Sequence, residues 1–180
     1  MADIKINRRI VLAGGPSTGK TSVLNELKRQ NFHCFNEVAR EILIQNKLKG
    51  KGFINNPIEI SKKILQKRHE DYFEASKIKS KKNILFYDRG VHEITAYLKS
   101  INKSSKYWDD LIYKYNYDLI FIFNPWKEIY IKDESRFEDF NDAKKISPFI
   151  FDIYEDSKTP VVEVPNTNIE ERVNFILKSI

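Results

Sequence analysis

The chain reads as an α/β domain: a parallel sheet with helices on both faces. Three observations predict this. Five short apolar runs are spread along the 180 residues with helical patterns between them, and each run has the length of a strand buried on both sides. A glycine-rich turn lies between the first run and the first helical pattern. Polar residues stand directly after the other runs, where the carboxyl ends of parallel strands collect ligands.

The elements follow in order. Arg9-Ile10-Val11-Leu12-Ala13 is the first strand, and Val23, Leu24 and Leu27 place a helix over 20–30. Phe32-His33-Cys34-Phe35-Asn36 is the second strand, ending at Glu37, and Val38, Ile42 and Leu43 carry a helix to about Lys47. Gly50 and Gly52 break it. A long helix is expected over 58–79, with Ile60, Ile64, Leu65, Tyr72 and Phe73 inward and Gln66, Arg68 and His69 on the polar face. Asn83-Ile84-Leu85-Phe86-Tyr87-Asp88 is the third strand, followed by helical pieces at 91–101 and 105–116. Leu119-Ile120-Phe121-Ile122-Phe123 is the fourth strand, stopped by Asn124-Pro125. After a polar stretch, Ser147 and Pro148 suit the N-cap and first position of a helix. Pro160-Val161-Val162-Glu163-Val164 is the fifth strand. Asn168 with Glu171 forms a capping pattern for the last helix, whose apolar face is Ile169, Val173, Ile176, Leu177 and Ile180.

Bulk properties bound the function. The length suits a single domain spanning 1–180. No apolar run approaches 18 residues and the N-terminus lacks a signal-peptide core, so a soluble, unexported, cytoplasmic protein without a membrane span is expected. Cys34 is the one cysteine, which excludes an internal disulfide and a cysteine-built metal site; it reads as a small buried residue. The net charge of +6 suits an anionic ligand such as a nucleotide. The lysine runs at 47–51 and 77–82 read as solvated loop edges rather than a nucleic-acid footprint, because no base-reading motif accompanies them.

The glycine-rich turn is Gly14-Gly15-Pro16-Ser17-Thr18-Gly19-Lys20-Thr21 and fits G-x-x-x-x-G-K-[ST], a phosphate-binding loop. Its backbone N–H groups and the dipole of the following helix would cradle a polyphosphate. Lys20 would reach the β- and γ-phosphates, and the Thr21 hydroxyl would ligate Mg²⁺. The other strand ends then become candidates. Asp88 suits a metal-side carboxylate or a helix cap, and Arg89 a phosphate clamp or a surface ion pair. Glu37 suits a general base for an attacking hydroxyl, or a first-turn helix glutamate; Arg40, one turn on, could orient the same acceptor or stand exposed. The segment 127–141 reads as a lid, with Arg136, backed by Lys127 and Lys132, swinging over the phosphates, or as a solvated charged loop. Asn166 and the lid would form the nucleotide-base surface.

Taken together, the phosphate loop, Glu37-Val38-Ala39-Arg40, Tyr87-Asp88-Arg89-Gly90 and Pro125-Trp126-x-x-Ile129-Tyr130-x-x-Asp133-x-x-Arg136 resemble a family of AAA-type P-loop ATPases. That family is grouped with the kinase domain of the bacterial bifunctional NMN adenylyltransferase/ribosylnicotinamide kinase and is similar to small nucleoside and nucleotide kinases. The resemblance implies a five-stranded P-loop NTPase sheet in the order 2-3-1-4-5 and a short lid. It gives Lys20 and Thr21 the phosphate and metal roles, matches Glu37 to the base of deoxynucleoside kinases, and matches Asp88-Arg89 to the Asp-Arg pair of thymidylate kinases. Two features depart from it: there is no adenylyltransferase domain, and Pro148 interrupts what the family continues as a helix. The extra domain of a GTP- and phosphoinositide-binding branch is also missing.

A signalling GTPase does not fit, since no Asn-Lys-x-Asp run reads guanine, and 180 residues leave no room for a ring-forming motor's helical lid domain. The expectation is therefore ATP- and Mg²⁺-dependent phosphoryl transfer to a small-molecule hydroxyl or phosphate, with GTP a possible donor. The alternatives are a stand-alone ATPase or GTPase, or a non-catalytic nucleotide switch. The acceptor and the oligomeric state leave no trace in the sequence.

Overall fold

The computed structural model describes residues 7–48, 56–130 and 140–180, with side chains described outside 46–48. Five parallel strands form one sheet in the order β2-β3-β1-β4-β5. They are β1 (Arg8–Ala13), β2 (His33–Phe35), β3 (Ile84–Asp88), β4 (Leu119–Phe123) and β5 (Val161–Val164). The central strands are apolar on both faces because helices cover both. Ile10, Val11, Leu12 and Ala13 have no exposed surface, and all of β4 is buried. Alternation along each strand divides the core. Val11, Ala13, Leu85, Tyr87, Ile120 and Ile122 pack on α3 (Pro57–Glu74), α4 (His92–Ser100) and α6 (Phe140–Asp156). Ile10, Leu12, Phe86, Phe121 and Phe123 pack on α1 (Lys20–Arg29) and α7 (Ile169–Lys178). Each such side chain contributes about 1.5–3 kcal/mol by leaving water. The register sets Leu12 opposite Asp88 and Ala13 opposite Ile122, so the carboxyl ends of β1, β3 and β4 are level.

The chain departs from its sequence pattern at four places. The expected 58–79 helix ends at Glu74, and Ala75 to Lys77 turn instead; the lysine run 77–82 would have stacked like charges one turn apart. Within α3 the buried stripe is Ile60, Ile64 and Arg68, four residues apart, so Arg68 faces inward and Phe73 is 53% exposed. The expected 105–116 helix is a short helix α5 (Lys106–Asp109) and a 3-10 turn at Asp110–Tyr113, anchored by buried Trp108, Leu111 and Ile112. The expected helix start at Ser147 and Pro148 is corrected: α6 runs unbroken from Phe140 to Asp156 with Pro148 inside it. Proline removes one bond to the Lys144 carbonyl, a cost of about 3 kcal/mol. Lys144 and Pro148 are both exposed, on the side where solvent can reach that carbonyl, while Ala143, Ile146, Ile150 and Ile153 are buried on the opposite face. Packing on both sides of the proline holds the helix.

The remaining helices agree with the pattern more closely. Residues Ala39–Leu48 form α2. Asn168 caps α7 by accepting from the Glu171 N–H at 2.9 Å, and Val173 and Ile176 are buried, although Ile169 in the first turn is 47% exposed. Cys34 is half-buried, and burial pushes its thiol up to about 12. Within the 127–141 segment the structure describes a 3-10 turn at Lys127–Ile129 and the start of α6; Lys132 and Arg136 lie outside the described residues. Among the described residues no helix is long and apolar enough to cross a membrane.

Candidate active site

The loop from Gly14 to Gly19 joins β1 to α1 at the level carboxyl ends. Two of its glycines are required by conformation. Gly14 has φ +137°, and a Cβ there would meet the Phe123 carbonyl at 2.4 Å; Gly19 has φ +89° and lies against Arg172, whose Nη1 would be 2.7 Å from a Cβ. The Lys20 ammonium is 5% exposed and donates to the Gly14 carbonyl (2.9 Å), the Gly15 carbonyl (2.6 Å) and the Thr18 hydroxyl (3.0 Å). Burial, then the Arg89 charge, lowers its pKa to about 8 against the pull of Asp88, Glu93 and Glu37. The position is one where an anion would be welcome.

Asp88 ends β3 beside the first turn of α1. Its Oδ2 accepts from the Thr21 hydroxyl at 3.0 Å, and its Oδ1 is buried with no partner. Asp88 does not cap α4, which starts behind Val91 with no side-chain cap. Burial, then Glu37, raises its pKa, against Lys20 and Arg89. A buried carboxylate oxygen left open next to a threonine hydroxyl fits Mg²⁺, which takes one or two protein oxygens and keeps several waters.

Arg89 follows with φ +75°, a left-handed backbone that an arginine adopts only when its surroundings hold it there. Its N–H continues the sheet by donating to the Leu12 carbonyl at 3.1 Å. Its guanidinium donates to the Gly14 carbonyl (2.7 Å), to Glu93 Oε2 (2.8 Å) and to Glu37 Oε2. So the surface-pair reading of Arg89 fails: the side chain is only 9% exposed. Glu37 is tied further, accepting from the Ala39 N–H at 3.1 Å and from Arg68 Nη2 at 3.4 Å. Burial works to raise the Glu37 pKa, but Arg89, Arg68, Lys20 and the Ala39 N–H hold it below the usual carboxylate range. Arg68 also donates to the Gly90 carbonyl at 2.6 Å. Two arginines from α3 and β3 thus fix one carboxylate in a single rotamer.

These groups line a cavity of about 730 Å³ that runs from Pro16–Thr21 past Asp88 and Glu37 to α3, α4 and α6. Arg40 lies exposed at its edge. Leu43, Ile64, Ile94, Tyr97, Ile146 and Phe149 give it apolar walls. The structure therefore brings together Lys20, Thr21, Glu37, Arg40, Asp88 and Arg89. It does not bring Asn166, which lies after β5 outside this cavity; Arg136 is outside the described residues.

Three residues were missed in the sequence. Arg68 stood on an expected polar face, yet it continues the Ile60 and Ile64 spacing, which is the signal that could have found it. Glu93, 1% exposed, stands in the first turn of α4, four residues after Arg89. Arg172, 2% exposed, links α7 to the phosphate loop: it donates to the carbonyls of Thr18 (2.9 Å) and Pro165 (3.1 Å) and to Asn166 Oδ1 (3.2 Å). Its guanidinium also lies 4.7 Å from the Trp126 ring centroid.

A family model described as an AAA domain matches residues 9–172. No curated protein sequence matches the chain. Among solved structures the chain is similar to deoxyadenosine kinase from M. mycoides with bound dATP, at 13% identity and TM-score 0.73, covering 96% of this chain and 98% of that one. It is similar to NadR protein in complex with NR at 15% identity and TM-score 0.75, covering 97% of this chain and 50% of that one. It is similar to thymidylate kinase from Candida albicans at 15% identity and TM-score 0.74, covering 97% and 91%. The fold shared with these structures is that of P-loop kinases, with the strand order 2-3-1-4-5.

Proposed function

Because the chain belongs to the AAA domain family, we propose that it is an ATP- and Mg²⁺-dependent kinase acting on a small-molecule hydroxyl or phosphate acceptor. The observation that carries this is the cavity. Hydrolysis needs room for one water beside the γ-phosphate, whereas the cavity of about 730 Å³, whose phosphate-loop end would take the nucleotide's phosphates, continues past that loop between Leu43, Ile64, Ile94, Tyr97, Ile146 and Phe149, apolar walls suited to a bound organic molecule. The neighbouring nucleoside and nucleotide kinase folds support the same reading.

In this reading Lys20 exchanges its loop carbonyls for β- and γ-phosphate oxygens, and the N-terminus of α1 adds its dipole. Gly14 to Thr21 wrap the polyphosphate, and Asn166 lies towards the nucleotide base. Thr21 and Asp88 would hold Mg²⁺, which would supply positive charge to the bound polyphosphate. Glu37, locked by Arg68 and Arg89, accepts a hydrogen bond from the acceptor hydroxyl and takes its proton as the new O–P bond forms and the bond to the leaving nucleotide breaks. Arg40 and Arg89 border the acceptor. The chain works as one domain, with 127–141 as a lid that brings Arg136 to the transferring group.

The direct test is a panel of nucleosides, nucleotides and other small alcohols incubated with ATP or GTP and Mg²⁺ and read by mass spectrometry. A phosphorylated product is expected. Steady hydrolysis with no product would make the protein a stand-alone ATPase or GTPase, and tight binding without turnover would make it a switch.

Two further results are expected from the phosphate and metal groups. With the Lys20 pKa lowered to about 8, binding ATP·Mg²⁺ near pH 8 is expected to take up a fraction of a proton per site. The uptake is expected to shrink as the pH falls below that value, where Lys20 is already charged before binding, and calorimetry in buffers of different ionisation enthalpy measures it. Lys20→Ala abolishes both the uptake and the turnover without unfolding the protein; retained activity would refute the phosphate role. Asp88→Asn raises the Mg²⁺ concentration for half-maximal rate by roughly 10–100-fold, the range seen when a metal site loses a supporting group. An unchanged Mg²⁺ titration would leave Asp88 as no more than the Thr21 partner.

A further inference from the structure

The cavity contains a charge balance that bears on which acceptor it takes, and the inference that follows rests on the kinase reading above. Three cations line its buried part, Lys20, Arg68 and Arg89. Three carboxylates face them there, Glu37, Asp88 and Glu93. Lys20 belongs to the phosphate loop. The two guanidiniums closest to the acceptor end are already engaged: Arg89 by Glu37, Glu93 and the Gly14 carbonyl, and Arg68 by Glu37 and the Gly90 carbonyl. Glu93 is further fixed by the Gly90 N–H at 3.4 Å and the Tyr154 hydroxyl at 3.3 Å.

A phosphate monoester brings about two negative charges. To bind here it would have to draw Arg68 or Arg89 away from Glu37 or Glu93, leaving a carboxylate buried beside a dianion. Both consequences are unfavourable in a site of low dielectric. The remaining described cations on the lining do not change this. Arg40 is exposed at the edge, where water and salt screen it. Lys145 is 77% exposed and pairs with Asp142 at 3.6 Å. A neutral hydroxyl makes no such demand. It needs one acceptor, which Glu37 supplies, and an apolar wall for the rest of the molecule, which Ile64, Ile94, Tyr97, Ile146 and Phe149 supply.

We infer that the acceptor is an uncharged, nucleoside-sized alcohol rather than a phosphate monoester, and that Glu93, by occupying Arg89, is the residue that excludes the monoester. Glu93 is a specificity residue in this scheme and takes no proton.

The test uses matched pairs: the common ribo- and deoxyribonucleosides against their own 5′-monophosphates. Transfer is measured with ATP·Mg²⁺, and binding by calorimetry with the β,γ-imido analogue of ATP and Mg²⁺. At least one nucleoside is expected to bind and to be phosphorylated with kcat/KM on the order of 100-fold or more above its monophosphate, the discrimination that unpaired buried charge can supply. Glu93→Gln should narrow that ratio by roughly tenfold, chiefly through a lower KM for the monophosphate, because half of the Arg89 charge is released. Equal or better use of the monophosphate overturns the inference while leaving the kinase reading intact. Binding of neither member of any pair overturns it too. Preferential binding of nucleosides without transfer upholds the exclusion of the monoester by the buried charges but removes the kinase reading, and the acceptor assignment falls with it. An unchanged ratio in a folded Glu93→Gln protein overturns the role of Glu93; should that variant not fold, the wild-type ratio still decides the acceptor class.

Discussion

Glu37→Gln is expected to lower phosphoryl transfer to the acceptor by roughly 10²–10⁴-fold, the usual cost of losing a general base. The substitution keeps the side-chain shape and an acceptor oxygen for the Ala39 N–H and Arg68, and Arg89 keeps Glu93 and the Gly14 carbonyl as partners. The phosphate loop and Lys20 are untouched, so nucleotide affinity should be nearly unchanged. Background hydrolysis, in which water attacks, need not fall with transfer. Assaying both activities on one preparation separates the roles. Equal loss of both would make Glu37 the residue that activates water in a hydrolase. Retention of both would leave it a carboxylate that only anchors two arginines. Glu37 is held below the ordinary carboxylate range, so its basic form persists into acid. At saturating ATP the transfer rate should therefore not decline through the pH region just above 4.5 for want of the ionised base; a decline there that added Mg²⁺ does not restore, and so does not come from Asp88 with its raised pKa, would assign the base to another group.

Arg89→Ala carries the largest expected loss of stability. It removes the common partner of Glu37 and Glu93, side chains that are 19% and 1% exposed. Breaking a buried pair from one side costs about 3–5 kcal/mol, because the other charge stays behind unpaired. For a chain of this length that lowers Tm by roughly 6–20 °C. Relief of the left-handed backbone at Arg89 offsets little, since alanine is strained at φ +75° as well. Arg89→Gly separates the two effects by removing the backbone cost while losing the same charge. The gap between glycine and alanine melting temperatures then measures the strain, and the gap between glycine and wild type bounds the ion pairs. A drop of only a degree or two in both would show that Glu37 and Glu93 find other partners, and the fixed-rotamer account of Glu37 would fall with it.

What the sequence made legible follows the range of the interactions. The phosphate loop is contiguous, and Glu37 and Asp88 follow directly on strands, so local pattern sufficed to find them. The fivefold strand–helix alternation gave the layers, while the order 2-3-1-4-5 came through the family resemblance. The missing parts depend on contacts between distant segments. Arg68 meets Glu37 across 31 residues and Gly90 across 22, and no periodicity reports that an arginine on an apolar stripe has been neutralised from elsewhere. Glu93 looked like one more polar residue in a helix for the same reason. Pro148 misled because proline is read as a local signal, whereas tertiary packing before and after it decides α6. Phe73 and Ile169 erred in the other direction: both keep helical spacing but sit at element edges with little to cover them.

Arg172 has a consequence in time. Its contact with the Thr18 carbonyl spans 154 residues, so the phosphate loop leaves the ribosome long before the arginine that braces it. At about 5–20 residues per second the interval is roughly 8–30 s. During it the nascent chain carries the whole Gly14–Thr21 motif and can pair β1 with β3, while β4 and β5 emerge later in the same interval and α7 last. Throughout that interval the loop lacks the Arg172 contact to the Thr18 carbonyl. A loop made early is braced by a residue made 154 positions later, so its braced form exists only once both segments have been synthesised.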